Sequence, residues 1–419
     1  MTMGQPRNPD LRIRGDRLWH SLMDLAQIGA TPKGGVCRLA LSELDGVGRN
    51  RFVEWAEAAG CTITVDRIGN IFARRAGTDP DRPPIVTGSH LDTQPTGGKF
   101  DGNYGVLAGL EVLRTLADHD VRTAAPLEVA VWTNEEGSRF VPVMMGSGVF
   151  AGAFGLDDVL AQQDRDGVAV RTALAAIGYD GPQQPGNHPV GAYIEAHIEQ
   201  GPILEHHGDT IGVVRGALGQ RWYDVVVTGM EAHAGPTPMQ TRQDALLAAA
   251  TIVGAVNRIA LDHAPDGRGT VGCLDVHPNS RNVIPGRVHL TVDFRHAGAA
   301  GLAAMDRALR EVCAEAAGAG RVGIEVRQVV EFAPQPFDAA MIEIVGSAAA
   351  GLGLSQRSIV SGAAHDAVYL ARVAPTAMIF VPCKGGISHN EIEDADPVHL
   401  EAGANVLLRS MLELATRAG

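Results

Sequence analysis

Apolar positions along this chain change period several times, and the changes outline its organisation. Over residues 1–80 the pattern predicts two helices and a hairpin. The second helix runs through FVEWAEAAG with Gly60 as C-cap, and Ile68-Gly69-Asn70 is a turn between two short β-type runs. Short apolar runs then read as strands: PPIVTGSH, LEVAVWTNEE and GAYIEAHIEQG. Between them, Tyr104 to Leu116 and residues 156–177 have helical spacing. Strands that alternate with helices in this way predict a largely parallel sheet.

From about residue 212 the order changes. Strand RWYDVVVTGM precedes an Ala-rich helix from Asp244 to Leu261, then strands near 268–276 and 287–295, a helix at 299–316 and a strand at 322–331. That β-α-β-β-α-β order predicts a ferredoxin-like α+β domain. After it MIEIVGSAAAGLG, APTAMIFVP and a helix at 397–417 resume the α/β pattern. The expected division is one α/β domain in two pieces, 1–211 and 331–419, with residues 212–330 inserted.

Composition narrows the function classes. Lys and Arg total 35 against 48 Asp and Glu, a net charge of −13, which argues against a nucleic-acid backbone as partner. Cys37, Cys61, Cys273, Cys313 and Cys383 are scattered and odd in number, which favours a reducing cytosol over a disulfide framework. The polar N-terminus lacks a signal peptide's apolar core. The longest apolar run, Leu246 to Val256, falls short of the roughly 18 residues of a membrane span and reads as a buried helix.

Polar clusters stand at the ends of the inferred strands, where open α/β sheets bind ligands. They are GSHLD with GGKFDG, TNEEG, EAHIEQG and GISHNE. Imidazoles and carboxylates suit zinc and its first-row neighbours, and a two-metal site takes about five such ligands with one carboxylate shared. His90, Asp101, Glu136, His197 and His389 could supply that set. Asp92, two residues after His90, is expected to hold the imidazole tautomer from behind. Adjacent Glu135 and Glu136 cannot both face one way in extended chain, which suits one to a metal and the other to a proton. His20, His119, His188, His263 and His399 are expected at the surface, and His206-His207 has no partner nearby.

Together, GSHLDTQPTGGKFDGNYGVLAGLEVL, TNEEGSRF, HIEQGPILE, GMEAHAGPTPM, RNVIPG, DFRH, SGAAHDA and GGISHNE resemble the hydantoinase/carbamoylase group of di-metal amidohydrolases. That group lies within the aminoacylase and carboxypeptidase-like metallopeptidase clan. The resemblance runs from about residue 85 to 393. It implies a di-zinc aminopeptidase-like catalytic domain with an inserted domain that dimerises and acts as a lid. By position His90, Asp101, Glu136, His197 and His389 look like the ligands of two divalent ions, with Asp101 bridging and Glu135 the general base. Zinc is the first expectation, with manganese, cobalt or nickel also acceptable. Gln200, His233, Asn282 and Arg295 match the family's substrate contacts, with His233 reaching the partner subunit's site of a homodimer and serving the oxyanion. SGAAHDA stands where the family has SGAGHDA, so His365 and Asp366 are given no more than a place behind the ligands.

The implied reaction is hydrolysis of the carbamoyl C–N bond of an N-carbamoyl amino acid, giving the amino acid, ammonia and carbon dioxide. Members of the group act on N-carbamoyl-L-α-amino acids, N-carbamoyl-β-alanine or allantoate. Gln94-Pro95-Thr96 looks more like the first two branches than the allantoate branch. Two rival readings are a dipeptidase or aminoacylase of the same clan and a non-catalytic binding protein. The first should lack the HIEQG and RNVIPG context, and the second should have lost a ligand or Glu135.

Overall fold

The computed structural model describes residues 11–416; the first ten residues of the N-terminal stretch and residue 417 of the last helix lie outside them. Two compact units are present, one from residues up to Arg215 together with Phe337 onward, the other from Gly216 to Pro336. The division differs by a few residues from the expected 212 and 330 because strand Ile211–Ala217 pairs with Thr376–Val381 of the first unit.

The first unit is built on a mixed sheet. Its successive strands are Thr62–Val65, Ile71–Arg75, Leu127–Trp132, Ile85–His90, Ala192–Ile198, Thr376–Val381 and Ile211–Ala217. The four middle strands, from Leu127–Trp132 to Thr376–Val381, are mutually parallel, so their carboxyl ends lie along one edge. Both faces are covered, which is why these strands are buried along their whole length and mostly apolar. Val129 and Val131 pack into one core with helices Asn103–Asp118 and Pro397–Thr416, whereas Ala130 and Trp132 pack with Phe72, Tyr193 and Phe380 on the other face. Each large side chain so buried contributes about 1.5–3 kcal/mol. Helix Glu43–Ala58 starts where Ser42 accepts the Asp45 N–H, and the chain turns away at Gly60 with φ 81°. His188, expected at the surface, is half-buried: its Nε2 lies 3.3 Å from Glu128 Oε2 and its ring packs edge-on to Phe72.

The second unit is an antiparallel sheet of successive strands Leu274–His277, Arg287–His296, Gly219–Thr228 and Gly323–Phe332, with Arg268–Thr270 also on Arg287–His296. Alternation decides its inner face: Tyr223, Val225 and Val227 join Val288, Leu290, Val292 and Phe294 beneath helices Ala245–Asp262 and Ala299–Gly320. The first of these helices spans 18 residues and is apolar enough to cross a membrane by length and composition. Its apolar run reads shorter in the sequence because Asn257 and Arg258 interrupt it. Ala249, Ile252 and Val256 bury one side of it in this unit's core.

Candidate active site

Each parallel strand delivers a potential ligand at its carboxyl end. His90 is the last residue of its strand, His197 the last but one of its own, and Glu135-Glu136 and His389 follow Trp132 and Val381. Asp101 comes from the loop between Ile85–His90 and helix Asn103–Asp118. That loop turns into the helix at Gly102, where φ is 66° and a Cβ would lie 2.3 Å from the His90 ring. Glycine is therefore required there on two counts.

Two groups of donors result. His90, Asp101 and His197 have ligand atoms within 4.8 Å of one another, and so do Asp101, Glu136 and His389. Asp101 belongs to both. Its Oδ1 lies 3.2 Å from His197 Nε2 and 3.7 Å from His90 Nε2, and its Oδ2 lies 3.3 Å from His389 Nε2. Glu136 Oε2 is 3.3 Å from the same His389 nitrogen. A further grouping of Glu195, His197 and His365 lies alongside, but Glu195 already accepts from Ser89 Oγ at 2.7 Å and the Ala367 N–H at 2.9 Å.

The outward nitrogens of the imidazoles are fixed from behind. Nδ1 of His90 lies 2.8 Å from the Asp92 main-chain oxygen, and Nδ1 of His197 lies 2.9 Å from that of Ile198. This corrects the expectation for Asp92: its carbonyl, not its carboxylate, holds the ring. The strand ends at His90, so the two-residue alternation assumed for Asp92 does not extend to it. Its carboxylate instead accepts the main-chain N–H groups of Glu135 at 3.3 Å and Glu136 at 3.2 Å. Asp92 thus orients both glutamates, while Asn134, with φ 52°, bends the chain just before them.

The clustered carboxylates and imidazoles shift one another's ionisation. Burial opposes ionisation of Asp101, but hydrogen bonds from His197 and His389 hold its carboxyl well below the usual range. Burial also opposes charge on His197, yet Asp101 raises it to about 9. The hydrogen bond to Asp101 raises His389 to about 9 as well. Burial lowers His90 to about 4, and burial with the Asp101 charge raises Glu136 to about 8. A buried cluster of carboxylates of this kind needs positive counter-charge. Divalent cations would fill that need with the imidazoles neutral and free to bind, so the donor set fits them.

Glu135 is buried, with Oε2 3.5 Å from His90 Nε2. Burial first, then the charges of Asp366, Glu136 and Asp101, push its carboxyl well above the usual range. A carboxylate so placed has a strong tendency to take up a proton.

Several residues that hold the site were not evident from the sequence. Glu393, four residues after His389, accepts the N–H groups of Phe100 at 2.9 Å and Asp101 at 3.1 Å, and the Ser388 hydroxyl at 2.8 Å. A Cβ on Gly98 would lie 2.0 Å from the Glu393 carboxyl carbon, so GGKFDG is more than a turn. Arg38 is fully buried and donates to the main-chain oxygens of Leu25, Ile28 and Leu91 and to Asn103 Oδ1. It thereby ties the His90 loop to the helix that follows Asp101. Glu393 lies two residues beyond the GGISHNE motif, a carboxylate near enough to His389 to have been considered. Nothing in the apolar run VCRLAL marks Arg38 as buried.

Gln200, with φ 56°, donates from Nε2 to Asp101 Oδ2 at 2.8 Å, and its buried Oε1 has no hydrogen-bond partner among the described residues. His365 packs its ring 4.4 Å from that of His197 and bonds Ser361 Oγ at 3.1 Å. Asp366 accepts from Ser147 Oγ at 2.5 Å.

In the second unit, His233 and Asn282 are brought together: a two-residue ladder pairs His233 with Val283, and Ala234 N–H donates to Asn282 O at 2.8 Å. His233 is exposed, with Nδ1 accepting the Gly235 N–H at 3.0 Å. Arg295 lies near the end of strand Arg287–His296, its Nη2 3.0 Å from Asp293 Oδ2 on the same strand.

Comparison with known proteins places this geometry among relatives. A profile of peptidase family M20/M25/M40 matches residues 86–413. An N-carbamoyl-L-amino-acid amidohydrolase of Rhizobium meliloti is 46% identical over 404 residues, covering 96% of this chain and 97% of that protein. A protein described likewise from Geobacillus stearothermophilus is 36% identical over 409 residues, covering 96% and 99%. Among solved structures, a hydantoinase/carbamoylase family amidase from Burkholderia multivorans superposes with a TM-score of 0.96 at 58% identity, covering 98% of this chain and 100% of that one.

Proposed function

Because the chain belongs to the metal-dependent peptidase family M20/M25/M40, alongside its hydantoinase/carbamoylase amidases, we propose that it hydrolyses N-carbamoyl-L-amino acids. The observation that carries this reading is full-length likeness to such an amidohydrolase combined with a complete donor set around Asp101. The products are the free amino acid, ammonia and carbon dioxide.

His90, Asp101 and His197 would hold one divalent ion, and Asp101, Glu136 and His389 a second. Zinc is our first assignment, with manganese, cobalt or nickel acceptable to the same donors. When bound, such ions polarise a carbonyl and lower the pKa of water. Glu135 takes the proton of the attacking water as its oxygen bonds to the carbamoyl carbon, then returns it to the departing nitrogen. The C–N bond breaks to release ammonia, and the remaining carbamate loses carbon dioxide. Gln200 Oε1, a buried acceptor without a partner among the described residues, suits a ureido N–H.

We assign the substrate carboxylate to Arg295, whose planar fork donates to it bidentately, and give Asn282 a further hydrogen bond to the substrate. His233 would steady the developing oxyanion in the partner's site of a homodimer, a role that its exposure permits. Arg295→Lys is expected to raise KM about tenfold or more, from the loss of a charge-assisted hydrogen bond, with kcat little changed. Steady-state rates on a carboxylate-bearing ureido substrate measure this, and an unchanged KM removes Arg295 from the substrate.

Ammonia release decides the activity. The panel is N-carbamoyl-L-methionine, N-carbamoyl-β-alanine, allantoate and a dipeptide, each with added zinc, manganese or cobalt. Fastest release from the carbamoyl-L-amino acid is expected. If fully loaded protein releases ammonia from no ureido compound, the reading is wrong.

A further inference from the structure

The run Gln94-Pro95-Thr96 has no part in the reaction described above, although it looks more like the carbamoyl-amino-acid branches than the allantoate branch. The structure gives its first residue a specific contact. Gln94 Nε2 lies 2.7 Å from Glu136 Oε2 and 3.4 Å from the Glu136 main-chain oxygen. Ser138 donates its hydroxyl to Gln94 Oε1 at 2.9 Å, which fixes the direction in which the amide faces. The backbone presenting this side chain is itself anchored, because Thr93 N–H donates to Arg38 O at 2.9 Å and Thr93 Oγ1 to Val36 O at 3.2 Å. The oxygen that Gln94 holds is the one 3.3 Å from His389 Nε2.

The two donor groups are not held alike. His90 and His197 are buried and tied by ring nitrogens to main-chain oxygens. In the other group His389 has a half-exposed side chain, and Asp101 is shared, so Glu136 is the one buried carboxylate belonging to it alone. A long side chain must lose rotamer freedom to serve as a ligand, and a hydrogen bond that fixes it beforehand removes that cost from binding. A neutral amide does this and leaves the carboxylate its charge and its other oxygen.

We propose that Gln94 is a positioning residue for Glu136 and sets the affinity of the Asp101–Glu136–His389 group for a divalent cation. This rests on the two-ion reading of the site. The loop then governs cation occupancy rather than substrate choice, and Ser138 acts through Gln94.

Calorimetric titration of metal-stripped protein with Mn²⁺ tests it, using the wild type, Gln94→Leu and Ser138→Ala. Two ions are expected in the wild type. In Gln94→Leu one ion stays tight and the second weakens about 10–100-fold, the usual effect of removing a ligand's hydrogen-bond partner. Ser138→Ala shifts the second ion the same way by less. Ammonia release by Gln94→Leu should fall at limiting Mn²⁺ and return with excess, which a general folding defect would not allow. Second-ion affinity in Gln94→Leu within twofold of wild type overturns the proposal while leaving the two-ion reading intact. If Gln94→Leu does not fold, Ser138→Ala decides, and an unchanged second affinity there overturns it. A wild type that takes up fewer than two ions overturns the two-ion reading and the proposal with it.

Discussion

Replacing Glu135 with Gln is expected to stop turnover while both donor groups keep their ions. The two side chains have the same shape, and Glu135 belongs to neither group of ligand atoms around Asp101. What changes is the ability to take a proton. Buried among Asp366, Glu136, Asp101 and Asp92, the carboxylate has a strong tendency to be protonated, and an amide has none. A general base contributes about 10²–10⁴-fold, so kcat should fall by that much or more. The loss should appear in kcat and kcat/KM alike, as expected for an interaction made in the transition state. Elemental analysis of the purified variant should match the wild type. Activity within tenfold of wild type, with metal intact, would assign the base elsewhere.

Asp101→Asn should do the opposite, losing metal first and activity as a consequence. One carboxylate supplies oxygens to both groups and lies within 3.7 Å of three imidazole nitrogens. An amide offers one oxygen and an NH₂ that no cation accepts as a ligand. It also places donors against Gln200 Nε2 and the Ser388 hydroxyl, which now meet an acceptor at 2.8 and 2.9 Å. Bound metal should drop from two ions toward one or none. Removing a cation's share of charge stabilisation, several kcal/mol, predicts a fall in rate on the order of 10³-fold or more. Retention of both ions by Asp101→Asn would contradict the bridging role. The paired results separate chemistry from assembly: one variant is loaded and inert, the other inert because it is not loaded.

Much of this architecture was legible because local patterns and global arrangement agree. Apart from Glu128, the run LEVAVW is apolar on both faces since helices cover both sides of the sheet, and the alternation at Tyr223, Val225 and Val227 marks a sheet covered on one face. The five ligand candidates gather because each lies at or after a strand end, a position that periodicity locates. Hydrogen bonds behind the ligands were not legible. Whether Asp92 works through its carbonyl or its carboxylate depends on how the chain turns after His90, which no period encodes. Arg38 is enclosed and pushed down to about 10 by burial, its guanidinium satisfied by four acceptors that meet only in the fold. Arg295, read from the sequence as a substrate fork, here also forms a strand-end ion pair with Asp293.

The bond between Glu393 and the Phe100 amide joins residues 293 apart in the sequence. A ribosome therefore makes His90, Asp101 and Glu136 long before it makes the segment that fixes the Asp101 loop and brings in His389. Until that last stretch docks, a nascent chain exposes a group of carboxylates and imidazoles with an incomplete grip on any ion. Contacts so distant along the chain are slow to form, and the second unit must be spun out between the two halves. Completion of the cation site is thus a late event in the chain's biogenesis, and cation uptake would report that the whole polypeptide has arrived and closed.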